Sequence, residues 1–68
     1  MRFKWTSITE SERERFVERC NFTPVELRIF ELRRKGCTPE KVAQKTKFSE
    51  RQIYRISREI LEKIIKER

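Results

Sequence analysis

The sequence predicts an all-α domain of four helices joined by short loops, with no sheet. Three observations lead there. Helix-start signals recur along the chain. Turn material is scarce, with Gly once and Pro twice in 68 residues. The last third repeats apolar residues at spacings of three and four, the period of one helix face. A chain this short makes a single domain, near the lower limit for folding alone. Charged residues make up 43% and hydrophobic residues 35%. That balance also suits disorder, but here the apolar positions are periodic and the helix ends are capped.

Residues 1–9 are predicted as an N-terminal arm. Phe3 and Trp5 alternate with Arg2 and Lys4, which suits a short extended arm or a pair of core anchors, and the second is favoured. A first helix is expected over 10–20, started by Thr9 or Ser7, with Phe16, Val17 and Cys20 as its apolar edge. The second is expected over 24–35. Thr23-Pro24-Val25-Glu26 combines a capping box with a proline suited to the first turn, and Gly36 follows as the left-handed terminator after Arg33-Arg34-Lys35. Leu27, Ile29, Phe30 and Leu32 give it a wide apolar face, so it should pack on two sides. Thr38-Pro39-Glu40 starts a short third helix over 39–46, with Val42 inward and Ala43 small enough for a close crossing. Ser49-Glu50-Arg51-Gln52 starts the fourth, over 50–67, again as a capping box. Ile53, Ile56, Ile60, Leu61 and Ile64 form its core stripe. Between the third and fourth helices stand only Lys47, Phe48 and Ser49, so the two must cross sharply with Phe48 as plug.

Two helices joined by so short a turn, the second long, describe a helix-turn-helix. Residues 22–64 resemble the tetrahelical helix-turn-helix shared by LuxR-type response regulators and region 4 of bacterial sigma factors. The pieces that carry the resemblance are "FTPVELRIFEL", "GCTPEKVAQKT", "FSERQIYRI" and "ILEKI". They cover about two thirds of the chain, and the helix before Phe22 favours the sigma-like relatives. Thr46 and Lys47 depart from the pattern, standing where such motifs commonly carry a large apolar residue and often Gly. The resemblance implies a small bacterial or phage transcription regulator that binds double-stranded DNA, its fourth helix entering the major groove by its N-terminal end.

Charge agrees with that implication. The net charge is +7. From Arg33 to Arg58 there are nine basic residues and two acids, an excess equal to the charge of the whole chain. Such a window favours a polyanion. With Ile53, Ile56 and Ile60 inward, Glu50, Arg51, Tyr54 and Arg55 are left to face the groove as the base-contacting set. Arg51 and Arg55 can each hold guanine O6 and N7 together, and Glu50 can accept from cytosine N4. The Tyr54 hydroxyl can also reach phosphate. Lys45, Lys47, Ser49 and Arg58 are the expected phosphate contacts, which set register without reading sequence. Gln52 could read adenine, but its capping position favours a local role. Lys41, Lys63 and Lys66 are read as ordinary solvated charges.

Other classes find little support. There is no His, no Gly-rich phosphate loop and no carboxylate pair in an apolar setting, so no enzyme and no cofactor is expected. The competing class is a protein–protein adaptor docking on RNA polymerase or a phage packaging enzyme, through the acids Glu10, Glu12, Glu14 and Glu18 and the long last helix. Residues 1–9 lack the pattern of a signal peptide and no run approaches a membrane span, which predicts a cytoplasmic protein without a membrane partner. Cys20 and Cys37 should lie at opposite ends of the second helix, about 18 Å apart, too far for a disulfide. Ile60, Leu61, Ile64 and Ile65 need cover, either from the first helix or from a second copy. A monomer is favoured over an isologous homodimer.

Overall fold

The computed structural model describes residues 4–67. Expectations for Arg2 and Phe3 therefore fall outside the described residues. The fold is all-α. A single 3₁₀ turn, Trp5–Ser7, precedes four helices: α1 (Glu10–Arg19), α2 (Pro24–Arg34), α3 (Pro39–Thr46) and α4 (Glu50–Glu67). No strand occurs among the described residues.

Each start follows from local chemistry. At α1 the Thr9 hydroxyl accepts from the Glu12 N–H, and the Glu12 carboxylate accepts from the Thr9 N–H. Thr23 and Glu26 repeat this box at α2, and Ser49 and Gln52 do so at α4. Thr38 caps α3 by accepting from the Lys41 N–H. The ends are equally local. Cys20 and Lys35 cap α1 and α2 in right-handed conformation, and the next residue in each case, Asn21 or Gly36, turns left-handed. After α2 the Gly36 N–H donates to the Arg33 carbonyl and the Cys37 N–H to the Leu32 carbonyl, the paired bonds of a Schellman motif. Gly36 has φ +97°, while a Cβ there would meet only a Thr6 methyl at 3.6 Å. Glycine is needed there for its backbone angle and not for space.

α4 is the element against which the others pack. It lies on α2 and α3, and its later turns meet α1. Ile29 and Phe30 from α2, Val42 from α3, and Ile53, Ile60 and Ile64 from α4 form the enclosed centre. Phe16 and Cys20 close the α1 side. Trp5 is buried against Phe30, edge-on, with ring centroids 6.3 Å apart, so the anchor role expected of it is the one it takes. Ile8 joins the core as well, although no periodicity pointed to it. The stripe at the end of α4 is covered from within the chain: the Cys20 thiol reaches the Lys63 carbonyl at 3.6 Å. Ile65 is the exception and stays 67% exposed. Both cysteines are free thiols. Burial pushes the Cys20 thiol up, with nearby Glu67 adding to it, so it is a poor nucleophile.

Ion pairs fasten the outer helices. Arg13 on α1 grips the Glu31 carboxylate with two nitrogens, at 2.7 to 3.0 Å. Arg34 Nη2 lies 2.5 Å from Glu10 Oε1. Lys63 is not the ordinary solvated charge its sequence position suggested. Its Nζ lies 2.5 Å from Oε1 of Glu26, a carboxylate only 8% exposed, and 6.0 Å from the centre of the Phe22 ring. The reason is geometric: Lys63 sits on the shoulder of the α4 stripe, next to the first turn of α2.

Burial alone would raise the Glu26 carboxyl, but hydrogen bonds from Lys63 and Thr23, with the Lys63 charge, outweigh it and hold the group low. The Arg13 hydrogen bonds lower Glu31 in the same way. A carboxyl lowered on folding adds stability above its unfolded value and loses it as pH falls through the folded one. Denaturant titration should therefore find stability declining as pH drops below about 4.3. Glu26→Gln keeps a capping side chain but loses the charge pair. It should cost ~1–2 kcal/mol at neutral pH and flatten part of the acid slope.

Candidate nucleic-acid interface

The turn between α3 and α4 begins at Lys47, whose φ is +65°. Its N–H still donates to the Ala43 carbonyl, and the chain then reverses. Phe48 tucks in half-buried as the plug. Arg28 Nη2 donates to the Lys45 carbonyl at 3.2 Å, tying the end of α3 to α2. The Thr46 hydroxyl donates back to the Val42 carbonyl at 2.7 Å, so this polar residue is satisfied within its own helix. The two departures from the resembled pattern are thus accommodated differently. Thr46 finds an acceptor, whereas Lys47 takes the left-handed backbone that glycine adopts without cost.

Helical geometry then distributes the α4 side chains. With about 100° per residue, the buried line through Ile53, Ser57, Ile60 and Ile64 leaves Arg51, Arg55 and Arg58 on the opposite side. All three are exposed. Tyr54 stands on one shoulder and is 60% exposed. Glu50 shares that shoulder at the first turn. Gln52 stands on the other, where it is engaged as the cap of Ser49. Lys45 and Lys47 are exposed beside the turn.

All eight residues expected at the interface are therefore on the surface, at the end of α3, along the turn, and on the outer side and one shoulder of α4. They are not equivalent. Arg51 has no hydrogen-bonding or charged partner among the described residues. Arg55 and Arg58 approach Glu59 and Glu62 one turn later, at 3.9 and 4.0 Å, but both arginines are more than 80% exposed. Pairs that long and that wet hold their partners weakly. Ser49 accepts from the Gln52 N–H at 3.2 Å and lies 3.3 Å from Gln52 Oε1, so its hydroxyl is already occupied by the cap. Arg58, expected as a phosphate contact, shares its direction with Arg51 and Arg55 but lies about one turn beyond Arg55 and two turns beyond Arg51, about 10 Å from the latter.

Sequence reasoning passed over four participants. Arg28 fixes the turn across 17 residues, a separation with no local signature. Glu59 and Glu62 could have been found, because each lies four residues after an arginine. The sequence shows Arg33 only as charge, yet its guanidinium lies over Trp5, with Cζ 5.2 Å from the ring centre. Burial lowers Arg33.

Among the described residues no group of three or more His, Cys, Asp or Glu could hold a metal ion. No helix is long and apolar enough to cross a membrane. No protein-family model matches the chain, and no curated protein or solved structure is significantly similar to it.

Lys47 allows conformation and charge to be separated. Lys47→Gly relieves the left-handed backbone and should raise unfolding free energy by about 1 kcal/mol, read as a higher denaturation midpoint at unchanged slope.

Proposed function

We propose that this chain is a helix-turn-helix protein that binds double-stranded DNA sequence-specifically and works as a small transcription regulator. One observation carries the reading: Arg51, Arg55 and Arg58 line the outer side of α4 without a firm protein partner, directly opposite its buried stripe. A guanidinium row on the leading side of a helix about 10 Å wide fits the major groove in size and donor pattern. Arg51 and Arg55 read guanine edges there. Glu50 and Tyr54 work from the shoulder, Arg58 meets the backbone or a further base, and Lys45 and Lys47 hold flanking phosphates. Ser49 serves as the cap that aims the helix.

The adaptor reading loses part of its basis. Of the four α1 acids it called on, Glu10 pairs with Arg34 and Glu12 closes the Thr9 cap. The α1 cover over Ile60 and Ile64 supports a monomer in solution, which sedimentation equilibrium over a hundredfold concentration range would check.

Duplex binding should weaken with salt, each neutralised phosphate contributing about −0.9 to the slope of log affinity against log salt. Arg51→Ala should cost ~1–3 kcal/mol on the preferred site and relax selection at one position. Lys47→Ala should weaken all sequences alike. Anisotropy titrations on selected and mixed duplexes measure both. No duplex affinity at low salt would remove the DNA reading in favour of the adaptor.

A further inference from the structure

Arg33 is held in place while its donors stay unused. Trp5 supports one face of the guanidinium. Nε is enclosed and has no hydrogen-bond partner. Glu31 and Glu10 are committed elsewhere, to Arg13 and to Arg34. A half-buried cation without a counter-charge is unfavourable, and a guanidinium held over an aromatic ring is pre-organised for a planar, two-point grip on an oxyanion.

The surroundings suit that ligand. Arg33 borders a depression of about 290 Å³ whose wall includes Lys4, Thr6, Gly36 and Thr38 and no acidic residue. Gly36, Cys37 and Thr38 are shared with a second depression that carries Lys35, Lys41 and Lys45. The two make a continuous basic track from Lys4 to the turn before α4, again without an acid in its lining. Lys45 stands at the end of α3, so the track reaches the turn that leads into α4.

We propose that Arg33 and Lys4 form a seat for one phosphate of the duplex backbone, outside the stretch read by α4 and joined to it by the lysine track. The inference rests on the DNA reading. Trp5 fixes the guanidinium plane, Arg33 grips two phosphate oxygens, and Lys4 adds charge from the other side. Because the contact is to backbone, it strengthens binding to every sequence alike and selects none.

The chain has one tryptophan, and it is the one against Arg33, so Trp5 emission reports the seat. The full chain is titrated with duplex and, separately, with inorganic phosphate, following emission and affinity across a salt series. Duplex should change Trp5 emission saturably. Arg33→Gln should abolish that change, lower affinity several-fold on preferred and mixed duplexes alike, and reduce the salt slope by about 0.9. Arg33→Lys should recover only part, since an ammonium neither stacks nor grips at two points. Lys4 is exposed, so Lys4→Gln tests the seat without touching the core and should also weaken all duplexes and lower the slope. An unchanged slope in both Arg33→Gln and Lys4→Gln, with Arg51→Ala still impaired, overturns the seat and leaves the DNA reading standing. Emission that responds to inorganic phosphate but not to duplex overturns it in favour of a free-anion site. A wild type without duplex affinity removes both.

Discussion

Ile53, Ile60 and Ile64 are wholly enclosed along one side of α4, and that enclosure fixes the rotation of the helix about its own axis. A helix can turn only by exchanging buried for exposed side chains, and fully burying one isoleucine is worth roughly 1.5–3 kcal/mol. Once α2, α3 and α1 have closed over this stripe, the direction of every other α4 residue follows at about 100° per step. Arg51, Arg55 and Arg58 point outward because there is no other place for them. The candidate interface is the reverse side of the core, aimed further by the Ser49 cap and the Arg28 tie.

Charge is sorted by the same architecture. Three of the six acids of α1 and α2 are turned onto basic partners within the fold: Glu10 to Arg34, Glu31 to Arg13, Glu26 to Lys63. The bases of α3 and the leading half of α4 have no comparable partners among the described residues. Bases thus outnumber acids on α3 and the leading half of α4, although acids and bases alternate closely in the first helix. A uniform scatter of the same charges would raise the field everywhere and direct a polyanion nowhere.

Much of this was legible in the sequence, because helix starts and ends are local events. Thr23 with Glu26, Ser49 with Gln52 and the terminator Gly36 are each decided within four residues. The α4 stripe was legible because it repeats. Contacts across the chain were not. Glu26 and Lys63 are 37 residues apart, and Lys63 lies on the shoulder of the stripe, where spacing distinguishes poorly between a paired and a solvated lysine. Ile8 was missed because a lone apolar residue in a loop has no period. Ser49 shows the opposite limit. Its type suits both a cap and a phosphate contact, and only the distances to Gln52 reveal that the cap occupies it.

Glu26 also connects two scales of folding. Its carboxylate accepts from the Thr23 N–H at the start of α2 and from Lys63 in the penultimate turn of α4. One bond can form while the chain is still open, since its partners are three residues apart. The other requires a loop of 37 residues to close, with the entropy that such closure costs. A carboxylate already oriented by its own helix presents a ready acceptor when α4 arrives, so less freedom is lost on docking. Loosening the first turn of α2 would in turn release the far end of α4. Nucleation of one helix and closure of the domain are thereby made parts of a single cooperative event.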